Sequence, residues 1–465
     1  MPAAPGGLAA ACLLLAGLAP VGAMLLQVDP VQRGGVRQGQ AGAYLIPLQH
    51  EKIPIKRAGK VVSHKTTYSG TIHVGSPVPQ EFRVVFDTGS AHVVLPTLEC
   101  ESAPCLRRRR YNITASSTGQ AVKVDGTPVG PSLTTDSVAI GFGTGKVTGE
   151  PVSERVCLGP ATEPGPCVAA RTIMATQMSG SSFEQLSFDG ILGLALSGLA
   201  LSKAFSLFDG LVGSGVLPHS YFSVYLAQGE ARTSEIAIGG HNERRILTPL
   251  SWVPIVKPEL GYWQVAIDSI RVNGKELDFC QDGTCAGILD SGTSHFGLPS
   301  ASFATMDNLL SLPARSMQED CLRVDTPAVE LILRGINLTL YARDYMRPLP
   351  LSKSIMRTSG GALPDAEQYC RPKLMSMNWP PPMGPKVFIL GEVVLQRYYT
   401  AYDWSGPRAG FALADHGPSS GGSDVTARMH TGDAIMLVQV TVSVSHRGPV
   451  QSLAVTPLQR APCRK

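Results

Sequence analysis

Charged side chains are scarce in this sequence, and the excess of positive over negative charge is small. They make up 16% of the 465 residues, and the formal net charge is +4. The one basic run, Arg107–Arg110, is interpreted as a solvated loop, with an exosite or a processing site as the alternative. Proteins that bind nucleic acid through phosphate contacts carry a basic patch or stripe. No nucleic acid partner is therefore expected.

Long apolar runs are missing as well. The two short ones, Leu8–Leu18 and Ala434–Val444, fall well below the roughly 20 residues that a membrane-spanning helix needs. The first is followed by the small residues Val21-Gly22-Ala23, which predicts a secretory signal peptide over residues 1–23. The second predicts either an extra strand or a disordered, aggregation-prone patch. We expect no integral membrane span once the signal is removed.

Zinc-type cysteine spacing is the third absence. No two cysteines are arranged as Cys-x-x-Cys, and histidines do not cluster beside them, so no metal is expected. Outside the predicted signal the spacing instead suggests disulfides, which fit a secretory route. Cys463 is left over, free or available for an intermolecular bond. The candidate pairs are Cys100/Cys105, Cys157/Cys167, Cys280/Cys285 and Cys321/Cys370. The sequons at Asn112 and Asn337 predict glycosylation on the same route.

What the chain has in abundance is glycine and proline, 49 and 36 residues, which favours turns and strands over long helices. One short pattern occurs twice. An apolar run delivers an aspartate into an Asp-Thr/Ser-Gly turn, and a second apolar run then ends in Leu-Pro. The first copy is Phe86-Asp87-Thr88-Gly89-Ser90-Ala91 and the second is Leu289-Asp290-Ser291-Gly292-Thr293-Ser294.

The repeat extends beyond the two turns. Ile191-Leu192-Gly193 follows the first aspartate at nearly the distance at which Ile389-Leu390-Gly391 follows the second. Such internal symmetry predicts an all-β architecture of two β-rich lobes whose aspartates meet at the junction. The pattern also predicts a Gly-rich hairpin within Val138–Val147 and helices over Leu201–Val212 and Ser300–Leu310.

Two adjacent carboxyl groups share one proton, because both cannot easily ionise in close contact. Such a pair can activate a water molecule and protonate a carbonyl oxygen, which is general acid–base attack on an amide without metal or cofactor. Asp87 and Asp290 are the candidate catalytic residues. The neighbouring residues are expected to support this dyad, by tight turns, hydroxyl bonds across the junction and hydrogen bonds to the carboxylates: Thr88, Gly89, Ser90, Ser291, Gly292 and Thr293.

These motifs, together with Phe188-Asp189-Gly190 and Tyr398-Tyr399-Thr400, resemble those of the pepsin-like aspartic proteases over about residues 67–415. The resemblance implies a bilobal fold with the cleft between two pseudo-symmetric lobes. It also implies an extended polypeptide substrate lying under the hairpin, or flap, which includes Phe142, Gly143 and Thr144. Three of the cysteine pairs fit the family's disulfides, and Cys157/Cys167 is an addition.

Two positions depart from the family together. Phe142 stands where a flap Tyr is usual, and Val94 stands where a Trp is usual after the first aspartate. Both partners of the usual Tyr–Trp hydrogen bond are therefore replaced, which predicts a looser flap and an altered specificity or pH optimum. His92 and His295 each lie five residues after an aspartate and are interpreted as a coincidence of the repeat on strand surfaces.

The predicted order along the chain is signal peptide 1–23, basic prosegment 24–62, N-terminal lobe 63–247, C-terminal lobe 248–415 and flexible tail 416–465. The prosegment is a candidate for lying in the cleft, with a disordered linker as the alternative. The function expected is that of a monomeric endopeptidase of the secretory pathway, secreted or in an acidic vesicle and made as a zymogen. The alternative is a catalytically silent peptide-binding protein that keeps the cleft.

Overall fold

The computed structural model describes residues 36–446 except 40–41, 58–59, 131–134, 144, 229–231, 354–365, 380 and 418–434. The predicted signal peptide, Thr144, Cys463 and much of the tail lie outside the described residues. Of the predicted prosegment, residues 24–35, 40–41 and 58–59 also lie outside them.

Strands dominate the described chain, as the glycine and proline content predicts. They are β1 Arg37–Gln38, β2 Tyr44–Arg57, β3 Lys60–Val74, β4 Gln80–Asp87, β5 Val93–Pro96, β6 Gln120–Ala121, β7 Ser137–Phe142, β8 Gly145–Leu158, β9 Cys167–Met178, β10 Gly190–Gly193, β11 Tyr221–Tyr225, β12 Ser234–Ile238, β13 Ser251–Pro254, β14 Gln264–Val272, β15 Lys275–Glu276, β16 Ala286–Leu289, β17 Phe296–Pro299, β18 Leu312–Pro313, β19 Val329–Leu333, β20 Ile336–Leu340, β21 Leu351–Ser352, β22 Gln368–Cys370, β23 Leu374–Met377, β24 Val387–Leu390, β25 Tyr398–Asp403, β26 Arg408–Leu413 and β27 Gln439–Ser445.

Helices are few and short. They are α1 Ala103–Leu106, α2 Gly180–Phe183, α3 Leu207–Gly213, α4 Ser300–Leu310, α5 Ala342–Tyr345 and α6 Glu392–Leu395, with 3₁₀ turns at Ile113–Ala115, Ser197–Leu199, Lys203–Phe205, Glu243–Arg245 and Pro258–Leu260. The helix predicted over Ser300–Leu310 is confirmed. The one predicted over Leu201–Val212 is interrupted, because the Ser206 hydroxyl accepts from the Asp209 N–H and starts α3 afresh at Leu207. Within the described residues no helix combines the length and apolarity needed to cross a membrane.

A large sheet joins the two halves of the chain. Among the described strands its order is β13-β26-β25-β11-β12-β2-β3-β4-β10-β5-β9-β8-β7-β27, and a second sheet runs β20-β19-β14-β16-β24-β17-β23. Strands from both halves, β11 and β25, lie side by side in the first sheet. These two sheets give the mostly-β, bilobal architecture that the repeat predicts.

The repeat of the sequence is a repeat of structure. In the first half β10 is parallel to β4 and antiparallel to β5. In the second half β24 is parallel to β16 and antiparallel to β17. The register sets Gly193 beside Asp87 and Leu390 beside Leu289. Asp87 is the last residue of β4 and Asp290 directly follows β16, and the strands β10, β16 and β24 are fully buried. Strands that are buried on both faces have nearly continuous apolar sequences, so these strands could be predicted from the sequence.

Four disulfides tie the described chain, and they join the candidate pairs. Cys100–Cys105 and Cys280–Cys285 close short loops, whereas Cys321–Cys370 spans 49 residues. Cys157–Cys167 links the paired strands β8 and β9. His73 lies beside this last disulfide, but both sulfurs are consumed by the bond and are not thiolate ligands.

The apolar run within the predicted tail forms a strand over Gln439–Ser445, which is one of the two alternatives predicted for it. β27 pairs antiparallel with β7, with Val444 opposite Val138 and Gln439 opposite Phe142. The apolar residues from Ile435 to Val444 are buried, which joins this segment to the core.

Candidate active site

Asp87 and Asp290 are brought together at the junction, and both are fully buried. The two Asp-Thr/Ser-Gly turns interlock through four hydrogen bonds related by the repeat. The Thr88 N–H donates to Ser291 Oγ at 3.0 Å and the Ser291 N–H donates to Thr88 Oγ1 at 3.0 Å. Each hydroxyl also donates to the backbone carbonyl of the residue that precedes the opposite aspartate. The Thr88 hydroxyl donates to the Leu289 carbonyl at 2.9 Å, and the Ser291 hydroxyl donates to the Phe86 carbonyl at 2.7 Å. The turns are therefore fixed to each other.

Each carboxylate is held by its own turn. The Ser90 hydroxyl donates to Asp87 Oδ2 at 2.5 Å and the Gly89 N–H donates to Oδ1 at 3.0 Å. In the second copy Thr293 donates to Asp290 Oδ2 at 2.5 Å and Gly292 to Oδ1 at 2.8 Å. All six residues that the sequence named as supporting the dyad thus lie around it.

The glycines are required by the approach of the opposite carboxyl group. A Cβ on Gly89 would lie 2.7 Å from Asp290 Oδ1, and a Cβ on Gly292 would lie 2.4 Å from Asp87 Oδ1. Both distances are shorter than any side chain tolerates, so only glycine permits this contact.

The dyad's electrostatics favour a shared proton. Burial raises the pKa of the Asp87 carboxyl well above its usual value, and the neighbouring Asp290 charge raises it further. Burial likewise raises the pKa of Asp290, against hydrogen bonds from Thr293 and Asp87 that lower it. A buried pair with raised pKa values retains a proton at a pH where isolated carboxyls would be ionised.

Three aromatic residues near the dyad were not singled out as site residues from the sequence. The Trp263 indole N–H donates to the Leu194 carbonyl at 2.8 Å, and the Leu194 N–H donates to the Asp87 carbonyl at 2.8 Å. Tyr402 and Tyr262 are buried, and the Asp290 charge adds to burial in raising the pKa of each phenol. Trp263 and Tyr262 belong to no recognisable motif around the aspartates, so the sequence did not predict that they lie near the dyad.

The flap residue Phe142 and Val94 are both buried and belong to one apolar cluster. Phe142 meets Phe183 edge to face, with ring centroids 6.1 Å apart. The two residues that replace the usual Tyr–Trp pair are therefore both apolar and lie in the same apolar cluster. Neither side chain has a polar group that needs a hydrogen-bond partner there.

The interpretation of His92 and His295 as residues on strand surfaces is wrong. Both are buried, with exposed fractions of 1% and 8%. His92 Nδ1 faces Gln439 Oε1 at 2.9 Å, and the Leu201 N–H donates to Nε2 at 3.2 Å, which fixes Nδ1 as the protonated nitrogen. Burial lowers the pKa of His92 to about 4. His295 Nε2 lies 3.1 Å from the Arg347 guanidinium.

The basic run is not a simple solvated loop either. Arg108 is buried, and its guanidinium donates to the carbonyls of Pro104, Phe183, Leu186 and Phe188. It closes the loops around α1 and α2, while Arg107 and Arg109 point outward. Composition could not distinguish these neighbours, because only the fold decides which one faces the interior.

Comparison with known proteins agrees with this geometry. Residues 67–414 match the family model described as eukaryotic aspartyl protease. The chain belongs to the eukaryotic aspartyl protease family.

Its relatives within the aspartyl proteases include pepsins, a cathepsin E and a gastricsin. It is 34% identical to Pepsin A-5 of Mus musculus over 75% of this chain and 81% of that protein. It is 31% identical to Cathepsin E of Aquarana catesbeiana, over 74% and 79% of the two chains. It is 32% identical to Gastricsin of Cavia porcellus, over 75% and 80%.

Proposed function

We propose that this protein is an aspartic endopeptidase in which Asp87 and Asp290 divide the roles of general base and general acid. The observation that carries the proposal is the shared-proton environment of the dyad, held by reciprocal turns. The ionised member takes a proton from a water molecule as its oxygen attacks the peptide carbonyl. The protonated member donates to the carbonyl oxygen, and proton transfer to the amide nitrogen then releases the amine product.

The dyad's surroundings support activity over the silent peptide-binding alternative. Both carboxyls, both hydroxyls that bond them and both glycines are present and arranged in matching pairs. The replacements at Phe142 and Val94 alter the flap side and leave these groups unchanged. Neither position provides a group that transfers a proton, so we assign them to substrate selection.

The test compares wild type with Asp87→Ala and Asp290→Ala on a reduced, alkylated protein between pH 3 and pH 7. Wild type should cleave it, and either substitution should lower kcat/KM by at least 10³-fold, because a lone carboxylate cannot serve as both acid and base. Equal inertness of wild type and both variants after processing would overturn the proposed endopeptidase activity and leave the silent, peptide-binding alternative.

We further propose that the protein is made in the secretory pathway as a zymogen, with signal 1–23 and prosegment 24–62. The four disulfides support an oxidising compartment. Asn337 is exposed on β20 and Asn112 is half-buried beside its 3₁₀ turn, so we propose glycan attachment at both sequons. N-terminal sequencing of the mature protein and its mass before and after deglycosylation test these assignments.

A further inference from the structure

A segment of the chain itself lies in the cleft. Residues Ile435–His446 run between the flap strand β7 and the two glycines beside the dyad. We propose that this segment is an intramolecular substrate, and that its Leu437–Val438 peptide bond is a self-cleavage site whose hydrolysis clears the cleft. This inference rests on the proposed function for its chemical step.

The backbone contacts locate that bond. The Leu437 N–H donates to the Gly292 carbonyl at 3.3 Å, and the Gln439 N–H donates to the Gly89 carbonyl at 2.9 Å. Gly89 and Gly292 are equivalent positions of the repeat, each two residues after its aspartate. Of the backbone atoms between these two donor nitrogens, the Val438 nitrogen is the middle one. We therefore place the Leu437–Val438 bond at the symmetry axis between the two carboxyls.

Contacts on both sides keep the segment extended through the site. Before the bond, Ile435 and Ser294 are paired, with the Ser294 N–H donating to the Ile435 carbonyl at 3.1 Å and the Ile435 N–H donating to Ser294 Oγ at 3.1 Å. After it, the flap Gly143 N–H donates to the Val438 carbonyl at 3.3 Å. The Tyr262 hydroxyl donates to the Gln439 carbonyl at 2.7 Å, and β27 continues along β7.

The side chains flanking the bond fill apolar pockets on opposite sides. Leu437 is fully buried in the cluster that contains Val94 and Phe142. Val438 is fully buried in a different cluster with Tyr262 and Ile288. The departure from the family at Val94 and Phe142 thus shapes the pocket that receives the residue before the cleaved bond.

Gln439, two residues later, is bound through its side-chain amide. Its Nε2 donates to the Leu199 carbonyl at 2.8 Å, and its Oε1 accepts from His92 Nδ1 at 2.9 Å. The His92 ring is held by the Leu201 N–H, and the Ala91 N–H also donates to Gln439 Oε1, at 3.5 Å. The pocket thus offers two donors to the amide oxygen and one acceptor to the amide nitrogen. This is specific recognition of glutamine, and His92 is a specificity-determining residue for substrates as well as for the tail.

The reaction consumes one water molecule. Its oxygen bonds to the Leu437 carbonyl carbon while the bond to the Val438 nitrogen breaks, and the nitrogen receives a proton. The products are a chain ending at Leu437 and a fragment from Val438 to Lys465. Before that step the tail competes with external substrate at the high effective concentration of a tethered ligand.

The experiment follows the full-length chain by intact-mass spectrometry between pH 3 and pH 7. Wild type should yield the Val438–Lys465 fragment at a rate independent of protein concentration over a tenfold range, and Asp87→Ala should remain whole. Leu437→Asp and Gln439→Glu should each slow the cleavage at least tenfold. Ser445→Ala, an exposed position on the same strand, is the matched control and should cleave at the wild-type rate.

Hydrogen exchange on the Asp87→Ala protein reports the tail contact without activity, and residues 435–445 should exchange slowly. Wild type that digests an external protein while its tail stays whole and exchanges freely would overturn this inference and leave the proposed function standing. A protected tail in a wild type that cleaves nothing would remove the proposed function and the self-cleavage with it. Cleavage at another bond, or at a rate proportional to concentration, would also overturn the inference. If Leu437→Asp loses its native circular dichroism, Gln439→Glu carries the comparison.

Discussion

Gly89 and Gly292 show how little space the dyad leaves. A single methyl group at Gly89 would overlap the Asp290 carboxyl group, because the two turns approach each other across the symmetry axis. The methyl group would have to push one carboxyl away from the other, and a displacement of about 1 Å at a reacting group costs on the order of 10²-fold in rate.

We therefore expect Gly89→Ala to lower kcat by about 100-fold. The control is Gly406→Ala, where an added Cβ meets no atom within 4 Å. Steady-state kinetics on a peptide substrate distinguish them. Wild-type kcat in Gly89→Ala would show that the turns can separate freely, against the geometry described.

The buried carboxyls also affect stability, in a direction set by their raised pKa values. An acid whose pKa is higher in the folded than in the unfolded state stabilises the fold while it is protonated. That contribution is lost as the pH rises from the usual carboxyl pKa through the raised one. The wild-type dyad therefore opposes folding at neutral pH more than in acid.

Asp87→Asn removes this ionisation while keeping the shape. We expect its Tm to exceed that of wild type by about 1–3 °C at pH 7. The difference should shrink as the pH falls towards 3, because both proteins are then uncharged at this position. Thermal unfolding monitored at pH 3, 5 and 7 checks the trend, and a constant difference across this range would contradict it.

At the scale of single elements, the disulfides act on loops of very different length. Cys100–Cys105 closes five residues and Cys321–Cys370 closes 49, and all four cysteines are buried. A cross-link restricts the unfolded chain more when it closes a longer loop.

Removing the long-range disulfide with Cys321→Ala and Cys370→Ala should destabilise the protein by about 2 kcal/mol more than Cys100→Ala with Cys105→Ala. The comparison uses urea unfolding of the two double variants under the same conditions. Equal losses would mean that local packing around the sulfurs outweighs the loop length.

Elements with a strong local pattern were predictable. The two Asp-Thr/Ser-Gly strands, α4 and the paired Ile-Leu-Gly strands follow from apolar runs and turn residues that the local chemistry fixes. The contacts of Gln439, Arg108 and His92 were not, since each partner is distant in the chain and is chosen by topology. A single glutamine in the apolar run Ala434–Val444 carries no local signal that it binds a histidine near the first aspartate.

At the scale of the whole molecule, Trp263 connects the two halves. Its indole hydrogen bond reaches the Leu194 carbonyl, which lies in the first half, and its ring meets Phe222, Tyr402 and Trp404 edge to face. Loss of the N–H would leave a buried carbonyl without this donor, which costs about 1–3 kcal/mol.

Trp263→Phe should therefore lower the free energy of unfolding by about 1–3 kcal/mol, as measured in urea. Trp404→Phe is the comparison, because that indole donates at 3.1 Å to Asp209 and both of these residues are half-buried, whereas Trp263 is fully buried. A larger loss of unfolding free energy in Trp404→Phe than in Trp263→Phe would mean that Trp263 is not the main connection between the two halves.

The place of β2 in the large sheet bears on how the chain would mature. Tyr44–Leu48 are paired with β12 and Gln49–Arg57 with β3, and Ile46 and Leu48 are buried. A cut after residue 62, the predicted end of the prosegment, would fall inside β3 and break one covalent link, but it would leave the ladder between β2 and β12 whole. The peptide that precedes the cut should then stay bound to the rest of the protein without a covalent link. It should appear as a separate band on a denaturing gel but not on a native gel. Its departure would require another strand to take its place between β12 and β3.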